Sequence, residues 1–134
     1  TPNSTDTLDI VISGGNLTVV KRDIASFNNP VVALGATGST QSDATGIGAF
    51  IGTVKLNSGS AGAGVKLPST TTVGTGFKLT IVNTTANTLK VYPQLGNNIL
   101  GLGINNPLNL TGLQGATFTV SDANTGEWVV LKGA

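Results

Sequence analysis

The stretch ATFTVS at residues 116–121 alternates apolar and hydroxyl side chains with a period of two, and EWVVLK follows at 127–132 after DANTG. Such alternation sends one set of side chains into a core and the other into water, which is the pattern of a half-buried β-strand. It predicts that Ala116, Phe118 and Val120 face inward while Thr117, Thr119 and Ser121 face outward. Asp, Asn and Gly in the connector tolerate the dihedrals of a short loop, so residues 116–132 read as a β-hairpin.

The same period recurs along the chain, and helical periodicity is nearly absent. FKLTIVN and LKVYP flank TTANT and predict a second hairpin. Val54-Lys55-Leu56 is echoed by Val65-Lys66-Leu67 across NSGSAGAG, but a single echo does not define a repeat architecture. LDIVIS, NLTVV and NPVVAL supply shorter strands, with Pro30 suited to the start of an edge strand. Short strands about ten residues apart, separated by Gly and Asn, point to an all-β fold: an antiparallel β-sandwich, jelly-roll-like, with an N-terminal arm or extra strands. A chain of 134 residues fits one domain (1–134), with residues 1–34 as the arm.

Residues 33–48, ALGATGSTQSDATGIG, raise the possibility of a phosphate-binding loop. A P-loop needs a lysine beside its last glycine, to reach the terminal phosphates, and a following helix. No lysine lies between Arg22 and Lys55, and no amphipathic pattern follows, so the stretch reads as a connector or a subunit-contacting loop.

Other chemistry is equally sparse. The chain has no histidine and no cysteine, which removes imidazole bases, thiolate nucleophiles and the usual transition-metal ligands. Its carboxylates are Asp6, Asp9, Asp23, Asp43, Asp122 and Glu127. Asp122 and Glu127 flank the hairpin loop and read as solvated turn residues, while Asp6 and Asp9 lack the spacing of an EF-hand. The expectation is a non-enzymatic chain with no catalytic residue, no metal site and no cofactor. Charged residues are only 10% of the chain and the net charge is +1, too little field to draw it onto nucleic acid or an anionic membrane. No apolar stretch is long enough for a membrane helix, so the chain reads as soluble. Four N-x-[ST] sequons, at Asn3, Asn16, Asn83 and Asn109, read as chance matches in an Asn- and Thr-rich chain.

Residues 93–115, PQLGNNILGLGINNPLNLTGLQG, are the least regular segment. Their Ile99, Leu100, Leu102 and Ile104 must enter the core or contact another subunit. Trp128 sits on a strand with its face undetermined; turned outward, it joins Tyr92 as a platform for a sugar or partner contact. The possible partner contacts are therefore Ile99, Leu100, Leu102, Ile104 and Trp128.

In order along the chain, GSTQ, GVKLP, IVN, LKVYP followed by Gly and Ile, GATFTV and the terminal WVVL resemble a recurring module of small structural proteins of tailed bacteriophages. The likeness covers roughly residues 35–133 and rests on strand and turn patterns, so it carries over no site residues. It implies a virion protein on the outer capsid surface, a decoration or cement protein binding the major capsid protein across subunit junctions as a small homo-oligomer, with a trimer favoured. The alternative is a carbohydrate- or receptor-binding module of a fibre or adhesin.

Overall fold

The computed structural model describes residues 6–23 and 30–133, which fall in two compact units, 1–30 and 31–134. In the first unit, β1 (Asp6–Ser13) and β2 (Asn16–Asp23) form an antiparallel hairpin in unbroken register from Asp6 opposite Asp23 to Ser13 opposite Asn16. Gly14 and Gly15 close it with φ values of 58° and 82°. Two successive positive φ angles suit the twist of a two-residue hairpin and are inexpensive only for residues such as glycine.

The second unit winds back and forth between two sheets. The chain runs through β3 (Val31–Gly35), β4 (Thr45–Gly46), β5 (Thr53–Ser58), β6 (Gly64–Lys66), the single helical turn α1 (Thr70–Val73), β7 (Lys78–Asn83) and β8 (Leu89–Tyr92). Strands β3, β5 and β7 stack in parallel in one sheet, while β4, β6 and β8 stack in parallel in the other. Each circuit thus contributes one strand to each sheet.

The remaining strands are β9 (Asn98–Ile99), β10 (Gly103–Ile104), β11 (Leu108–Leu110), β12 (Gly115–Asp122) and β13 (Glu127–Lys132). They complete a seven-stranded sheet of order β10-β9-β13-β12-β7-β5-β3 and a four-stranded sheet of order β11-β8-β6-β4. β12 joins β7 and β13 antiparallel, β11 joins β8 antiparallel, and β9 runs parallel to β13. The architecture is a mixed-sheet β-solenoid of about 4 turns.

This overturns the antiparallel, jelly-roll-like sandwich expected from sequence, although the all-β class stands. Alternation identifies a strand with one buried face and is silent on which strand lies beside it. The decisive segment is TTANT: instead of closing a hairpin, it carries the chain round a corner from β7 in one sheet to β8 in the other. NSGSAGAG does the same between β5 and β6, so the Val54-Lys55-Leu56 echo marks two sides of one coil. The hairpin expected at 116–132 is present as β12 and β13, with a register irregularity between Val120 and Asp122.

The core is built from columns of residues stacked coil on coil. Val54 lies beside Ile81 and then Ala116 on neighbouring strands, and Val65 lies beside Val91; all of these are buried. Phe118 and Trp128 are the largest of the fully buried side chains. Ala116, Phe118 and Val120 take the inward positions assigned from sequence, while Thr117, Thr119 and Ser121 retain exposure. Stacking also brings backbones close. A Cβ at Gly64 would lie 2.7 Å from the Tyr92 ring and 3.1 Å from the Lys90 carbonyl oxygen, so the β6 rung fits β8 there only without a side chain.

Candidate functional site

The glycine- and hydroxyl-rich stretch leaves β3 and folds back on itself. The Asp43 carboxylate accepts hydrogen bonds from the Ser39 and Thr40 amides at 3.0 and 2.8 Å and from the Thr40 hydroxyl at 2.9 Å. These bonds, led by the Thr40 amide, lower the Asp43 carboxyl below its ordinary value because they favour the charged form. The two amides that would face a phosphate are thus filled by the loop's own carboxylate. Thr45 and Thr37 extend the fastening: their hydroxyls lie 2.8 Å apart, and Thr45 Oγ1 donates to the Gly35 carbonyl at 2.7 Å.

Gln41 connects this loop to the irregular segment. Its Nε2 donates to the Pro93 carbonyl at 2.7 Å and to Asn105 Oδ1 at 3.2 Å, while Asn105 Oδ1 also accepts from the Gly96 amide at 2.7 Å. Asn105 reaches this position in a left-handed conformation, with φ 67°. Two segments that looked unrelated in sequence are therefore tied together by amide side chains. Tyr92 adds a contact, its hydroxyl donating to the Ser39 carbonyl at 3.3 Å.

The segment held by Gln41 carries the apolar residues singled out from sequence, and the structure divides them. Ile99 enters the core completely, in β9 beside Trp128 of β13. Leu100, Leu102 and Ile104 stay in solvent, at 58%, 37% and 64% exposure, on the hairpin that pairs β9 with β10. Leu95, two residues after Pro93, is 75% exposed and was not anticipated. No charged residue interrupts the chain between Lys90 and Asp122.

Trp128 is fully buried and Tyr92 nearly so, which removes both as sugar platforms. Trp128 meets the edge of Phe77 at 6.4 Å between ring centroids, and Phe77 meets Phe50 at 6.0 Å. The indole Nε1 has no hydrogen-bond partner among the described residues. Its burial among aliphatic and aromatic neighbours is decided by the register of β13 against β9 and β12, which a single strand does not report. Phe50 and Leu113 are further exposed apolar residues, both with positive φ, at 62° and 63°. Positive φ is an outlier for bulky side chains, and sequence gives no signal for it.

The remaining carboxylates of this unit serve turns. Asp122 accepts from the Asn124 and Thr125 amides at 2.9 and 3.3 Å, and Glu127 accepts from the Ser121 hydroxyl at 2.7 Å. The calcium candidates Asp6 and Asp9 lie on β1, whose side chains fall outside the described residues. Among the described residues there is no group of three potential metal-ligating side chains. A shallow, open trough of about 320 Å³ runs beside Thr80, Thr117 and Leu131, and Lys132 is the only charged residue lining it. Residues 95–104 therefore carry four exposed apolar side chains, Leu95, Leu100, Leu102 and Ile104. No protein-family model matches the chain, and no curated protein sequence is significantly similar to it.

Proposed function

We propose that the chain is a non-enzymatic structural protein of a tailed-bacteriophage virion, which binds the outer capsid surface across junctions of the major capsid protein and acts as a homo-oligomer. The observation that carries this reading is the uncharged segment 95–104, in which Leu95, just before the β9–β10 hairpin, and Leu100 and Ile104 on it are each more than half exposed, with the segment tied down through Gln41. An apolar, charge-free patch loses little desolvation energy when another protein covers it, and each leucine or isoleucine fully buried contributes roughly 1.5–3 kcal/mol. Binding to the closed shell and not to separated subunits would stabilise the shell by mass action. The resemblance at residues 35–133 supplies the choice of partner. The glycan-binding alternative loses its platform because Trp128 and Tyr92 are buried.

The test is co-sedimentation with undecorated capsids assembled from the major capsid protein encoded in the same genome. Saturable binding is expected, and Leu100→Asp with Ile104→Asp should weaken it at least tenfold without unfolding the chain. Failure of the unmodified chain to co-sediment at micromolar concentration would reject the capsid reading.

A further inference from the structure

Charge in the solenoid is distributed against the usual protection of sheet edges. Strand-borne charged residues of the second unit are Lys55, Lys66, Lys78, Lys90, Asp122, Glu127 and Lys132, all on interior strands β5, β6, β7, β8, β12 and β13. The edge strands β3, β4, β10 and β11 carry none. Lysine or proline within an edge strand normally discourages pairing with another chain.

Of these edges β3 is the longest, at five residues, and its outer side has no hydrogen-bonded strand among the described residues. The core also ends abruptly there. Val54 and Leu56 on β5 are fully buried, yet their β3 neighbours Val32 and Leu34 are only half-buried, as the last rungs of their columns. On the opposite face Val31 and Ala33 are exposed.

We infer that β3 pairs with β3 of a second copy of this chain, antiparallel about a two-fold axis through Ala33. The sequence VVALG is self-complementary in that register. Val32 lies opposite Leu34 twice over, so each half-buried core residue gains the neighbour its column lacks. Val31 lies opposite Gly35, which has no side chain to obstruct it, and Ala33 meets Ala33. An isologous contact of this kind joins the two seven-stranded sheets into one and closes the assembly at two copies. The inference gives the homo-oligomer of the proposed function a two-fold form, and its test does not depend on whether the chain binds capsids.

Light scattering of the full chain tests it. The expected mass is twice 13.4 kDa, falling to a single chain in Ala33→Lys with an unchanged circular dichroism spectrum. Because the chain has no cysteine, Ala33→Cys provides a second test. Directly opposed Cβ atoms lie roughly 4.5–5.5 Å apart, near enough for a disulfide after small adjustment. Mild oxidation should therefore link Ala33→Cys into dimers at least tenfold faster than Thr119→Cys on the interior strand β12. A mass of one or three chains for the parent protein, or equal linking rates for the two cysteine variants, overturns the inference.

Discussion

Asn83, the last residue of β7 in one sheet, donates its side-chain Nδ2 to the carbonyl of Leu110, the last residue of β11 in the other, at 3.0 Å inside the protein. The same amide nitrogen lies 2.7 Å from the Asn87 carbonyl and 3.1 Å from that of Thr111, while its Oδ1 accepts from the Thr85 amide and hydroxyl. One buried side chain thus fixes the corner between β7 and β8. The same burial makes the Asn83 sequon unusable in the folded chain.

Asn83→Ala should destabilise the protein by about 3 kcal/mol, because carbonyls that lose this donor do so where water is scarce. Urea unfolding curves of the two proteins measure the difference. An effect below about 0.5 kcal/mol, the range of ordinary surface substitutions, would show that the corner does not depend on this hub.

Trp128 is the only tryptophan and is fully buried, so its fluorescence should be blue-shifted in the native state and move to the red on unfolding. Adding oligosaccharides should leave the emission unchanged. Trp128→Ala should cost about 3–5 kcal/mol through loss of apolar contact and formation of a cavity. Fluorescence titration and thermal melts check these outcomes.

Asp43 and Tyr92 give opposite pH signatures. The folded Asp43 carboxyl is lowered, so its contribution is present above the unfolded value and is lost as pH falls through the folded one. Protection of the Ser39 and Thr40 amides against exchange, taken relative to the intrinsic rate at each pH, should then fall in acid, and Asp43→Asn should shift that dependence.

Burial, and secondarily the Asp43 charge, raise the Tyr92 phenol above its ordinary value. Its contribution is complete below the unfolded value and is lost as pH rises through the folded one. Tyr92 is the only tyrosine, so ultraviolet titration reports it directly. Asp43→Asn should move that titration to lower pH, and an unchanged midpoint would show that the loop charge does not reach the phenol.

Leu113 is 80% exposed with φ 63°, a conformation that glycine adopts without strain. Leu113→Gly should leave stability unchanged or raise it by up to about 1 kcal/mol, since exposed leucine offers little packing to lose. Thermal melts decide; a loss above 1 kcal/mol would mean that the side chain supports the 111–114 loop.

The sequence by itself determined the longer strands, the inward set Ala116, Phe118 and Val120, the β12–β13 hairpin and the lack of histidine and cysteine, while the two-residue strands β4, β9 and β10 lie in stretches it left without a strand pattern. These are local properties: period-two alternation records which face of a strand is buried, and composition fixes which reactive groups exist. Only the tertiary structure decided that β3, β5 and β7 stack in parallel, that TTANT turns a corner, and that Gln41 ties residues 37–45 to Pro93 and Asn105. It alone separated Ile99 and Trp128, which the core takes, from Leu100, Leu102 and Ile104, which remain in solvent. The physical reason is that a strand's pattern carries no information about the direction or identity of its neighbour, and neighbours brought together from distant parts of the chain decide what is covered.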